Sequence, residues 1–336
     1  MTHDNIKLSV PEHPFAPYVR ILGKGKKGSR SFTEQEAFEA MQMILEGKVE
    51  ALQLGAFLML LRVKEESPEE LSGFVKAVQA CSKAPENLKA DLDWSSYAGK
   101  RRHLPWFIFS ALLVAQAGYR VFMHGASGHT TNRIYTETVA TKLGLPVCEN
   151  WQEVTQALDN MNFCYVPLHV ISPRLEEMIN MRNILGLRSP VHSLSRLINP
   201  LAAPAVIQGI FHPPYAHSHQ QAGQLLGYSS LTVLKGEGGE IERNPDNALT
   251  CYKLNDGLLS EEIWPALFER RHVKPKELSL ENLIDVWRGG LADEYAEAAI
   301  VSTAAIALKT IQPQLNQGAA LAEATRLWQA RDTARF

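Results

Sequence analysis

A chain of 336 residues, 45% hydrophobic and 21% charged, is long enough to bury a sizeable core and is expected to form two domains. Its formal net charge of −2 excludes a general polycation, so any grip on nucleic acid must come from local clusters of base. No apolar run is long enough to span a bilayer, and no membrane partner is expected.

Residues 1–17 are polar and proline-containing and read as an arm. They hold no apolar stretch of the kind a signal peptide needs, which points to a cytoplasmic protein. The cysteines Cys81, Cys148, Cys164 and Cys251 are far apart without CxxC spacing, so they read as buried reduced thiols rather than disulfides or a zinc site. A basic, glycine-rich loop follows, carrying Lys24, Lys26, Lys27 and Arg30 with no acid close by in sequence. Such a loop either grips a phosphate backbone or is simply solvated. Ser31 or Thr33 can cap the next helix, with Glu34 and Glu36 in its first turn, where carboxylates favour the helix dipole. The helix predicted over 52–63 is nearly all apolar, so it is buried on several sides or lies at a subunit contact. Ser67-Pro68-Glu69-Glu70 starts another helix with a cap, a proline and two acids. Residues 18–88 therefore predict a small helical domain.

From Asp91 onward strand-like and helix-like runs alternate: helix 107–117, strand 119–123, helix 133–143, strand 164–167, strand 205–211, helix 220–226, strand 231–234. That alternation predicts an α/β domain over 89–336 with a mostly parallel sheet covered by helices. Ser172-Pro173 opens a helical insertion near 172–198, expected to complete the helical domain. The tail over 280–328 is helix-rich and broken at Gly289-Gly290.

The stretch 119–144 joins a buried strand, YRVFMHG, to a helix through Gly-Ala-Ser-Gly-His-Thr-Thr-Asn. Backbone N–H groups and hydroxyls in such a turn can converge on an anion. His124, Gly125, Ser127 and Thr130 are the candidate contacts, and a purely structural turn is the alternative. Lys100, Arg101, Arg102 and His103 form a second basic cluster, which needs either acids, such as Asp91 and Asp93, or an anion. Tyr97 and Trp106 flank it, as stacking platforms for bases or as core aromatics. Arg182, Arg188 and Arg196 are candidates to line a cleft between the domains. His212, His217 and His219 have no Cys or acid at ligand spacing, so no metal site is expected.

Three stretches carry a family resemblance: the basic loop with FTEQEAFEAMQMILEGKVEALQLGAFLMLLRVKEESPEEL, the strand–turn–helix over 121–143, and MRNILGLRSPVHSLSRLINP. Together they resemble anthranilate phosphoribosyltransferase and its relatives, glycosyl transferase family 3, which share their fold with pyrimidine-nucleoside phosphorylases. The resemblance implies a helical domain that forms a homodimer, and a cleft for phosphoribosyl pyrophosphate and magnesium. The family's glycine-rich GTGGD loop reads Ser96-Tyr-Ala-Gly-Lys-Arg-Arg102 here, and its Asn after His-Gly is Ala126. Its magnesium-chelating Asp-Glu pair falls on Ile241 and Glu242, while Arg182 stands where the enzymes use an arginine near anthranilate. Glycine and carboxylate are lost and Lys and Arg gained, which resembles the YbiB-type, nucleic-acid-binding branch. The resemblance thus implies a dimeric binder of single-stranded DNA or RNA, without the parent activity and without a cofactor. The alternative is a transferase with an altered acceptor, using magnesium, in which His124, Arg182 and Glu242 contact substrate.

Overall fold

A computed structural model describes residues 11–25 and 27–336. Four helices open the chain: α1 (Ala16–Gly23), α2 (Glu34–Leu45), α3 (Ala51–Lys64) and α4 (Pro68–Cys81). Local chemistry fixes their starts. Thr33 and Glu36 form a capping box at α2, and Ser67 and Glu70 form another at α4, so each satisfies two orphan amides reciprocally. The chain is already helical at Ala16, and Phe15 is fully buried, so the last residues assigned to the arm pack in the bundle.

Seven strands follow: β1 (Leu92–Ser96), β2 (Val121–Gly125), β3 (Phe163–Pro167), β4 (Ala205–Ile210), β5 (Ser230–Lys235), β6 (Leu249–Asn255) and β7 (Leu258–Trp264). Their order is β3-β2-β1-β4-β5-β6-β7, parallel through β5 and antiparallel beyond. The helices between and after them are α5 (Phe107–Gln116), α6 (Thr136–Lys142), α7 (Trp151–Met161), α8 (Leu168–Ile171), α9 (Pro173–Asn180), α10 (Arg182–Leu185), α11 (Val191–Leu194), α12 (Tyr215–Leu225), α13 (Glu281–Arg288), α14 (Glu294–Ile311) and α15 (Gln317–Gln329).

One face of the sheet is covered by α5 and α13–α15, all in one apolar core with Trp94, Ile207 and Trp287. The opposite face shares a second core with the bundle, the insertion α8–α11 and α7. Helical domain and sheet are therefore welded through Tyr97, Phe122, Val166, Met178 and Leu197 rather than joined by a bare linker. No helix of the described residues is long and apolar enough to cross a membrane.

The alternation of strands and helices is the one predicted. Several features differ, among them α7, which occupies a stretch where no helix was predicted. β1 was not read as a strand, because Asp93, Ser95 and Ser96 make it polar although all five residues are buried. The β6–β7 hairpin was not read either; it turns at Asp256-Gly257, both at positive φ, the usual chemistry of a two-residue hairpin loop. All four cysteines are free as expected, but Cys81 is exposed while the other three are buried.

Candidate anion-binding site

Parallel strands end together, so the loops after β1, β2, β4 and β5 gather at one end of the sheet. Ser96 pairs in register with Gly125, and Gly125 with Pro167. A Cβ on Gly125 would lie 2.1 Å from the Ser96 carbonyl oxygen, so the β1 and β2 loops approach this closely only because the residue is glycine.

The loop after β1 forms a small nest of backbone amides, and it is filled from within. The Glu240 carboxylate accepts from the Ala98 amide at 2.6 Å, the Gly99 amide at 2.5 Å and the Ser96 hydroxyl at 2.9 Å. Glu240 is buried and arrives from the loop after β5. Two successive amides and a hydroxyl aimed at one carboxylate are the contacts by which such a loop would hold a phosphate oxygen. Two arginines tie the loops around it. Arg133 donates to the carbonyls of Ala98, Gly99 and Gly238. Arg196, buried, donates to those of Gly209 and Gly239.

The second acid of this loop is also committed. Lys100 and Glu242 form a buried ion pair at 2.5 Å, and the other Glu242 oxygen accepts from the Phe107 amide. Burial pushes the Glu242 carboxyl up against the pull of Lys100. Magnesium and a diphosphate need free hard oxygens and an open amide cradle. Here Glu242 serves Lys100, and Glu240 serves the cradle. The residues present do not fit that group in this arrangement.

The other predicted contacts are dispersed. His124 is buried, between the Tyr97 hydroxyl at 2.7 Å and Asp93 at 3.1 Å. Burial holds the Asp93 carboxyl up even beside this histidine. Tyr97 and Trp106 are core residues, so neither offers a stacking face. Ser127 is half-buried. The Thr130 amide donates to the Tyr135 hydroxyl, and its own hydroxyl accepts from Arg188 at 3.2 Å. Arg182 donates to the His129 carbonyl. Burial, then the charges of Arg188, Arg196 and Arg182, hold the His129 imidazole down to about 4.

Of the basic residues, Lys100 faces inward, and Arg30 is not free of acids as expected: it makes a two-pronged pair with Glu36, each contact 2.7 Å. Lys24, Lys27, Arg101 and Arg102 are exposed. Lys26 lies outside the described residues. Just past the basic loop, Ser31 accepts from Lys64 of α3, and Arg62 of α3 donates to the Tyr215 hydroxyl at the start of α12. Glu240 was missed in the sequence. The stretch KGEGGE was noticed, but the nest that Glu240 fills lies more than a hundred residues earlier in the chain.

A helical bundle fused to a mostly parallel sheet, with an amide cradle where β1 ends, defines a phosphoribosyltransferase-type scaffold. Residues 17–82 match the glycosyl transferase family helical bundle domain. The chain is similar to an uncharacterized protein of Aquifex aeolicus, 29% identical over 83% of this chain and 81% of that one. It is 27% identical to the uncharacterized protein YbiB of Escherichia coli, over 77% and 81%. To the anthranilate phosphoribosyltransferase of Brevibacillus brevis it is 29% identical, over 82% and 77%. The solved anthranilate phosphoribosyltransferase of Saccharomyces cerevisiae, in complex with PRPP and Mg, superposes with a TM-score of 0.78 at 17% identity, covering 97% of this chain and 96% of that one. These likenesses support an anthranilate phosphoribosyltransferase-like scaffold, and the likeness to YbiB is consistent with that branch.

Proposed function

We propose that this protein binds single-stranded DNA or RNA on a phosphoribosyltransferase-type scaffold and no longer performs the parent transfer. The observation that carries the reading is the Glu240 carboxylate in the amide cradle after β1. A diphosphate would have to expel a buried carboxylate and overcome its charge. The cations left facing solvent are Lys24, Lys27, Arg101 and Arg102. Such groups neutralise a phosphate backbone and release its counterions, so binding weakens with salt at about 0.7 log units per phosphate for a single strand. With an overall charge of −2, one copy offers few such groups, and a homodimer would double them. The bundle has a surface for that: Leu52 and Val63 of α3 are 90% and 83% exposed, and large exposed apolar side chains on one helix are an association surface.

The combined charge reversal Lys24→Glu, Lys27→Glu, Arg101→Glu and Arg102→Glu is expected to abolish binding of a labelled random oligonucleotide in fluorescence anisotropy. Undiminished, salt-sensitive binding by that variant would place the interface elsewhere. A second reading, a transferase with an altered acceptor, draws on Arg182, which remains half-buried beside His129. It requires magnesium-dependent binding of phosphoribosyl pyrophosphate.

A further inference from the structure

Beside the filled cradle lies a separate cavity of about 110 Å³. Its walls come from four parts of the chain: Arg62 from the end of α3, Arg188, Ser189, His192 and Arg196 from the insertion, the end of β4 with the loop after it, and Tyr215 from α12. Among the described residues no Asp or Glu lines it. Arg188 has one side-chain partner, the neutral Thr130 hydroxyl. Burial, then the neighbouring charges of Arg133 and Arg196, hold the Arg188 guanidinium down to about 10. Arg188 therefore sits among like charges with no carboxylate bonded to it, and a bound anion would offset them.

A second observation is independent of charge. Two buried side-chain atoms on the wall, Ser189 Oγ and His192 Nε2, have no hydrogen-bond partner. Buried polar atoms are rarely left so, and each such atom calls for a ligand or an ordered water. His192 Nδ1 lies 3.2 Å from the Ser189 carbonyl oxygen. A carbonyl only accepts, so Nδ1 carries the proton and Nε2 presents a lone pair. The cavity therefore offers guanidinium donors, one hydroxyl and one buried acceptor.

We propose that this cavity is a site for a phosphate monoester group, held by Arg62 and Arg188 with a P–OH donating a hydrogen bond to His192 Nε2. A phosphodiester within a nucleic-acid backbone has no such proton. A monoester in its monoanionic form has one and donates it as a hydrogen bond to the neutral imidazole. A cavity of this volume accommodates a tetrahedral phosphate group. Two sources supply that group: the 5′-phosphate at the end of a nucleic-acid strand, or free phosphate. The first source rests on the nucleic-acid reading above; the site itself rests only on the cavity.

Three probes separate the cases on the full-length protein by calorimetry: inorganic phosphate, a 5′-phosphorylated oligonucleotide, and the same oligonucleotide with a 5′-hydroxyl. The 5′-phosphorylated strand is expected to bind roughly tenfold or more tightly than its 5′-hydroxyl twin, with inorganic phosphate competing away the difference. Arg188→Met is expected to bring the two strands to the same affinity. Arg62→Ala changes an exposed residue outside the core and is expected to reduce the same difference, which guards against misfolding of the first variant. If inorganic phosphate binds the wild type and fails to bind Arg188→Met while neither strand binds, the site stands and the nucleic-acid reading falls. If the two strands bind equally and inorganic phosphate does not bind, the proposed site is refuted while the nucleic-acid reading survives.

Discussion

Glu240 joins local geometry to function. Its carboxylate satisfies two amides and a hydroxyl that the sharp exit from β1 would otherwise leave bare. Charge-assisted hydrogen bonds of this kind are stronger than neutral ones, and an orphaned buried donor is expensive. Glu240→Ala is therefore expected to lower stability by about 2–4 kcal/mol in chemical denaturation. It should also open the cradle, so that added pyrophosphate raises the melting temperature of the variant but not of the wild type. Equal effects of pyrophosphate on both proteins would mean that Glu240 does not guard that nest. Glu66 is a second informative carboxylate. It is buried, with one oxygen unpartnered, and burial lifts it from 4.5 to about 7. Between those values the folded chain holds a proton that the unfolded chain releases. Its contribution is full below about pH 4.5 and is lost as pH rises through about 7. Glu66→Gln should match the wild type at pH 4 and exceed it at pH 8 by on the order of 3 kcal/mol in urea unfolding. No gain at pH 8 would show that this carboxyl ionises at its ordinary value.

Among the elements, those set by local chemistry were the legible ones. Thr33 with Glu36, and Ser67 with Pro68 and Glu70, announce α2 and α4 because capping acts over three residues. The β2–α6 turn was legible from its run of Gly, Ser, Thr and Asn between an apolar strand and a helix. β1 was not, since its polar residues are matched by partners far away in sequence: Asp93 by His124, Ser96 by Thr136 and Glu240. The β6–β7 hairpin carried a readable signal in Asp256-Gly257 that was passed over; β7 is largely exposed and lacks a clean alternation. The site was half legible for the same physical reason. Exposed Arg101 and Arg102 can be read as free base from sequence, whereas the pairing of Lys100 with Glu242 depends on a contact across 142 residues. Packing between α2 and α4 gives an element-scale test. A Cβ on Gly73 would lie 2.2 Å from the Glu34 carbonyl oxygen and 2.7 Å from the Ala37 Cβ. Gly73→Ala should force the two helices apart and cost about 1–3 kcal/mol, read as a fall in melting temperature. An unchanged melting temperature would mean that these helices are not in such close contact.

At the scale of the whole molecule, a phosphoribosyltransferase-type scaffold carries an amide cradle occupied by its own carboxylate. The bundle and the sheet share one apolar core, and the amide cradle persists. The cradle is now filled by the chain itself, and the Lys100–Glu242 pair spends an acid and a base together. On the proposed reading, the exposed base at the loop ends serves an extended phosphate backbone rather than a compact diphosphate. The most direct measurement is a side-by-side calorimetric titration of the wild type with a random single-stranded oligonucleotide and with magnesium phosphoribosyl pyrophosphate. The account predicts oligonucleotide binding whose affinity falls steeply with added salt, and no magnesium-dependent binding of the sugar donor. Magnesium-dependent binding of the donor with no oligonucleotide binding would contradict it.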